Sequence, residues 1–250
     1  MTPTLELYSA LQTAFDHFNR TLFDGKLPQC LITLRSASRT YGYMQKDRFV
    51  SAEGQHIDEL GINPGYFALQ SIEEVMATVV HEMVHHWQNH FGTPSASMPH
   101  NKEWADKMEA LGLMPSDTGL PGGKRTGRSM NDFIIPDGPF LRACAELKTL
   151  GIRLPWLDSR LPVAPEVMAS KRAELVSSGQ AFVSDVVDAI PVERAATAGV
   201  PLPVAAPAPR PPSAEKLRIR QVCPQCKARA WTGPEVSLSC GDCHVPMSEG

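Results

Sequence analysis

Long apolar runs are missing from this 250-residue chain. No stretch approaches the roughly 20 consecutive apolar residues that a bilayer-spanning helix needs, so no membrane span is expected. The opening MTPTLELYSALQ carries an acid and lacks a basic start followed by an unbroken apolar segment, so a secretory leader is not expected either. An excess of one charge is also missing. The net charge is -3, which argues against a uniformly basic coat for nucleic acid. No internal repeat is present. A reducing cytoplasmic location, with nucleoid association included, is therefore the expectation, and there six cysteines read as metal ligands or buried thiols rather than disulfides.

An apolar fraction of 42% is ample for a core, and its spacing marks the elements. Leu7, Leu11, Phe15, Phe18 and Leu22 recur at helical spacing, which predicts a helix over 5–23 that stops at Gly25. Short β-rich segments follow at Gln29–Arg35, Tyr41–Met44, Arg48–Ala52 and His56–Ile62, with Asn63-Pro64-Gly65 as a closing turn. Ser71 with Glu74 forms a capping-box signature for a second helix ending at Gly92. Its stripe is Val75, Met76, Val79, Val80, Met83, Val84 and Trp87. A third helix is predicted from Asn101 to Leu111, a glycine-rich basic loop over 119–130, and a short helix near Phe140–Leu150.

The second helix carries His81-Glu82-Met83-Val84-His85, the H-E-x-x-H pattern. At about 100° per residue, His81 and His85 lie about 40° apart on one face, so two imidazoles reach one metal ion. Glu82 lies about 100° from His81, placed to act as a base on water rather than as a ligand. Zinc with three protein ligands leaves a position open for that water and lowers its pKa toward about 7. The residues thus predict peptide hydrolysis. A composition like this one matches the pattern by chance in roughly one to two chains per hundred, and the helical context lowers that further.

A third ligand is needed. The metzincin offsets are excluded, because Gln88 and Phe91 stand where glycine and histidine belong. His100 follows a turn-like stretch and is preferred, with Glu103 one turn later as the alternative. His86 and His90 point away from His81 and His85 and are expected at the surface or in support of the ligands. Trp87 and Trp104 read as core. His17 and His56 have no ligand spacing and read as structural.

Taken together, these residues resemble the SprT-like family, which includes the Spartan DNA–protein crosslink proteases. The resemblance covers about residues 5–150. It rests on Asn19-Arg20-Thr21-Leu22-Phe23 before Gly25 and Leu27-Pro28, on Gly42, and on Ile62-Asn63-Pro64. His81-Glu82-Met83-Val84-His85, His100-Asn101-Lys102-Glu103-Trp104 and Met108 complete it. It implies an α+β zincin-like domain with His81, His85 and His100 on zinc, Glu82 as base, and a DNA-linked role. The clamp- and ubiquitin-binding motifs of the animal proteins are not seen, so their recruitment mechanism is not carried over. The Gly122–Phe140 loop looks like an elaboration that serves as a lip for substrate or DNA.

Further along, six of the twelve residues 201–212 are proline, which predicts a semi-rigid linker. Cys223-x-x-Cys226 and Cys240-x-x-Cys243 then read as a closed four-cysteine zinc ribbon, with strands Ala230–Gly233 and Val236–Ser239 between the knuckles. So small a module needs a metal to fold. His244 offers a substitute ligand, whereas Cys30 and Cys144 read as buried thiols. Lys216, Arg218, Arg220, Lys227 and Arg229 form a basic patch suited to nucleic acid.

The expected organisation is therefore an α+β metallopeptidase domain at 1–155, a Pro/Ala-rich linker at 156–213 and a zinc ribbon at 214–250. One catalytic and one structural zinc are expected in a monomer that acts on protein substrates and contacts DNA. The alternative is a non-catalytic, zinc-stabilised adaptor for nucleic acid or transcription. An intact Glu82 favours the enzyme, since a purely structural metal needs no base.

Overall fold

The computed structural model describes residues 2–36, 40–158, 170, 173–174, 177, 219–232 and 237–249. Contacts divide the chain into two compact units, Met1–Ala206 and Pro207–Gly250. Most of the expected linker, together with Lys216 and Arg218, lies outside the described residues.

In the first unit, helix α1 (Pro3–Leu22) buries Leu7, Leu11, Ala14, Phe15 and Phe18 on one face. Its exit is held by Asn19, whose side chain donates to Leu27 O at 2.9 Å and accepts from Leu27 N at 3.1 Å. The turn between them uses Asp24 and Gly25, both at positive φ. That clamp gives the Asn19-to-Leu27 motif a structural reason.

Three strands form one sheet in the order β1-β3-β2. Strand β1 (Leu31–Leu34) runs parallel to β3 (His56–Ile62), and β2 (Gly42–Val50) runs antiparallel to it. The two β-rich segments expected at Tyr41–Met44 and Arg48–Ala52 are one strand interrupted by a register shift between Gln45 and Phe49. Asp47 sits in that bulge at φ 52°. Asn63 caps a 3-10 turn, Pro64–Leu69, by accepting from Gly65 N at 3.1 Å, so the expected turn is longer than a simple reversal.

Helix α2 (Ile72–Phe91) packs on β2 and β3. Its capping box is complete: Ser71 Oγ accepts from Glu74 N and Glu74 returns to Ser71 N. Such a cap contributes about 1 kcal/mol. Asn101 caps helix α3 (Lys102–Leu111), which ends at Gly112 in the left-handed region, φ 96°. A short antiparallel pair follows, β4 (Leu113–Ser116) with β5 (Asn131–Ile134), and nothing in the periodicity announces it. Helix α4 (Pro139–Thr149) closes the core against α1, where Phe140 stacks on Phe18 at 5.9 Å and His17 Nε2 donates to Ala143 O at 2.8 Å.

In the second unit, β6 (Ile219–Val222) pairs antiparallel with β7 (Arg229–Thr232) and with β8 (Ser248–Glu249). The partner of β7 is thus the strand before the first knuckle. The knuckle is itself the hairpin turn, closed by Cys223 N donating to Ala228 O at 2.9 Å, so strands flank a knuckle instead of joining two. Residues 233–236, which include the end of the first expected strand and the start of the second, lie outside the described residues. Among the described residues, no helix is long and apolar enough to cross a membrane.

Candidate metal centre

Successive turns of α2 carry His81 and His85, and the chain turns back over 92–100 to deliver His100 just before the α3 cap. Ring centroids are 5.3 Å apart for His81–His85, 5.4 Å for His81–His100 and 4.8 Å for His85–His100. One nitrogen from each lies within 4.8 Å of the others. Trp104 is fully buried beneath them, 4.6 to 5.3 Å from all three rings, so the expected core tryptophan is also the floor of the cluster.

Two of the rings are oriented by outside acceptors. His81 Nδ1 lies 2.9 Å from Asp132 Oδ1 and His100 Nδ1 lies 3.2 Å from Gly127 O. Gly127 also bridges to His100 through paired backbone hydrogen bonds. With Nδ1 donating, Nε2 of each ring is left to face a metal. Neither acceptor was foreseen. Both come from the glycine-rich loop and β5, which have no periodic signal.

Burial and the neighbouring His81 push His85 down to about 2, and the same causes push His100 down to about 4. Burial also acts to lower His81, but the Asp132 hydrogen bond and the Glu82 and Asp132 charges outweigh it and raise its pKa. Three imidazoles held this close, two of them kept neutral by burial, are a donor set that fits zinc. Glu103 is elsewhere. Its Oε2 accepts from Thr93 N and from Gln88 Nε2, both at 2.7 Å, and so pins the turn after α2.

Glu82 is 5% exposed, and burial raises its carboxyl to about 7. Gly42 lies against it: a Cβ there would meet Glu82 Cγ at 3.0 Å and Gly61 O at 3.1 Å. The glycine of β2 is what lets the strand approach the carboxylate.

His90 is exposed, as expected, whereas His86 is not. His86 is fully buried, and neither residue supports the three-histidine cluster; both bond Asp58 on β3, a third group able to hold a metal. The angular argument gave their direction from the helix axis and not what packs there. Cys30 and Cys144 are buried thiols, each pushed up to about 12 chiefly by burial.

The four C-terminal cysteines Cys223, Cys226, Cys240 and Cys243 also converge, with all Sγ within 4.8 Å of one another. The knuckles match. Lys227 N donates to Cys223 O and His244 N to Cys240 O, and both Lys227 and His244 take positive φ. His244 therefore serves as a turn residue and stays outside the cysteine group. Backbone N–H groups of Cys226 and Gln225 bring Cys223 down to about 6, while contact with the Cys226 thiol raises Cys243 to about 12. Four thiols this close cannot all ionise without a cation among them. Arg220, Lys227 and Arg229 are exposed.

No solved structure matches the chain. An uncharacterized protein from the mucB 3′ region of Salmonella typhimurium is 52% identical over 59 residues, which is 23% of this chain and 80% of that protein. The SprT-like family matches residues 11–123, a span that holds the second half of α1, the three-stranded sheet, α2, α3 and all three clustered histidines. The chain belongs to the SprT-like family.

Proposed function

We propose that the chain is a zinc metallopeptidase of the zincin kind that cuts proteins bound or crosslinked to DNA. The observation that carries the reading is Glu82, a buried carboxylate beside three converging imidazoles. A site that only held a metal for stability would have no use for it. His81, His85 and His100 would hold the zinc, which when bound polarises a carbonyl and lowers the pKa of water.

The chain's own residues supply the proton handling. Glu82, raised to about 7 by burial, is poised near neutral pH to take a proton from the attacking water and return it to the leaving amine. Asp132 and Gly127 O hold two imidazoles in orientation, and Trp104 fixes the floor on which they sit.

DNA as the scaffold of the substrate is supported by the second unit. Arg220 and Trp231 are paired across β6 and β7, and Arg229 lies two residues from Trp231, so all three side chains share one face of the sheet. Trp231 is 60% exposed. Cations interleaved with an exposed aromatic suit single-stranded nucleic acid, whose bases stack and whose phosphates pair. The four cysteines would hold a structural zinc that builds this face.

The reading is tested by offering a DNA-bound protein with and without single-stranded DNA, and with a zinc chelator. Cleavage that the chelator abolishes and DNA stimulates supports it. Chelator-resistant cleavage, or none under any DNA condition, contradicts it.

A further inference from the structure

On the far side of α2 from the three-histidine cluster, His86 and His90 repeat the one-turn spacing of His81 and His85. Their ring centroids are 4.8 Å apart, the same separation as His85–His100. Asp58 Oδ2 lies 2.9 Å from His86 Nδ1 and 3.0 Å from His90 Nε2. Asp58 Oδ1 is already used, accepting from Asp47 N at 2.9 Å in the β2 bulge, so the carboxylate is fixed with its other oxygen aimed at the two imidazoles.

The tautomer of His86 follows from its far side. His86 Nε2 lies 2.9 Å from Pro28 O, and a carbonyl only accepts, so the hydrogen sits on Nε2. That leaves Nδ1 of His86 turned toward the carboxylate. Ring hydrogens can satisfy each pair separately, whereas a divalent ion serves all three donors at once. Four-coordinate zinc sets its ligand atoms about 3.3 Å apart, so Asp58 Oδ2 needs to part from each ring nitrogen by only a few tenths of an ångström, and all three donors already lie within 4.8 Å of one another.

We propose that Asp58, His86 and His90 form a second metal site in the first unit, for a divalent transition ion that favours imidazole, such as zinc. Two imidazoles and one carboxylate are a common set for such ions. Asp58 is 3% and His86 0% exposed, while His90 is 30% exposed, which gives the ion a path in and a side open to water. The ligands come from β3 and from the second half of α2, so the ion ties the sheet to the helix one residue beyond His85. This site is separate from the three-histidine cluster and does not depend on catalysis there.

The test is equilibrium dialysis of the full chain against zinc, with bound metal counted by plasma mass spectrometry. Wild type should hold one more zinc per chain than His90→Gln, which keeps a donor for Asp58 and loses the ligand, and one more than Asp58→Asn. His81→Ala should lose a different ion, so that its loss and that of His90→Gln add. Circular dichroism checks that the variants fold. Should they not, histidine 15N NMR reads the wild-type chain directly: saturating zinc should move the His86 Nδ1 and His90 Nε2 resonances. Equal zinc in folded wild type, His90→Gln and Asp58→Asn, or ring resonances that zinc leaves in place, would overturn the site and leave a hydrogen-bonded Asp58–His86–His90 network.

Discussion

Replacing Asp132 with alanine removes the oxygen 2.9 Å from His81 Nδ1. The metal-facing nitrogen is untouched, so the ligand count stays the same and only its orientation is lost. Removal of such a partner costs about 10- to 100-fold in metal affinity, or about 1.4–2.7 kcal/mol. The upper half of that range is expected, because both side chains are only 12% exposed and water replaces the lost oxygen poorly. Asp132→Asn still presents an oxygen able to accept from Nδ1–H, so its loss should stay within about tenfold. The assay is zinc competition with a chromophoric chelator at neutral pH, in a Cys223→Ser, Cys226→Ser, His90→Gln background that leaves the three-histidine cluster as the site read. An alanine variant within about twofold of its parent would show that Asp132 does not hold His81, because the orientation effect is at least about tenfold wherever it operates.

Three other outcomes follow from the same geometry. Acidification should place the first proton on His81, whose pKa lies above the usual histidine value while His85 and His100 are held near about 2 and about 4. Zinc affinity of the cluster should thus fall by one proton per ion as pH drops through the raised His81 pKa, starting above the ordinary histidine value of about 6.5, and a three-proton slope in the same titration would contradict this. Gly42→Ala brings a Cβ to 3.0 Å from Glu82 Cγ and shifts the carboxylate by a few tenths of an ångström. Since a 1 Å misplacement costs about 100-fold, cleavage should fall about three- to tenfold with zinc content kept; full activity would contradict the placement. Ser71→Ala removes the α2 cap and should cost about 1 kcal/mol, lowering the melting temperature by about 2–4 °C without changing zinc binding, and an unchanged transition would contradict it.

Much of this was legible in the residues because it is local. The α1, α2 and α3 spans, the Ser71–Glu74 box and the Gly112 stop depend on helical spacing and on capping chemistry within four residues. The His81–His85 pair is local in the same sense. The joining of Tyr41–Met44 to Arg48–Ala52 was hidden because a bulge at Asp47 looks like a turn in composition. Asp132 and Gly127 are 51 and 27 residues from the histidines they orient, on a loop and a strand with no pattern of their own. His86 was misplaced for a related reason: helical angle gives a direction, and only the sheet shows that Asp58 waits there.

The central claim is that Glu82 is the base of a metallopeptidase and not a ligand. Glu82→Gln retains size and hydrogen bonding but cannot take a proton at neutral pH. The direct measurement is cleavage of a DNA-bound protein by wild type and Glu82→Gln, with the zinc content of each counted in the same preparation. Wild type should cut, and the variant should keep its zinc and fold while cleavage falls at least about a hundredfold. A variant that cuts as fast as wild type, or one that loses its zinc along with its activity, would contradict the account.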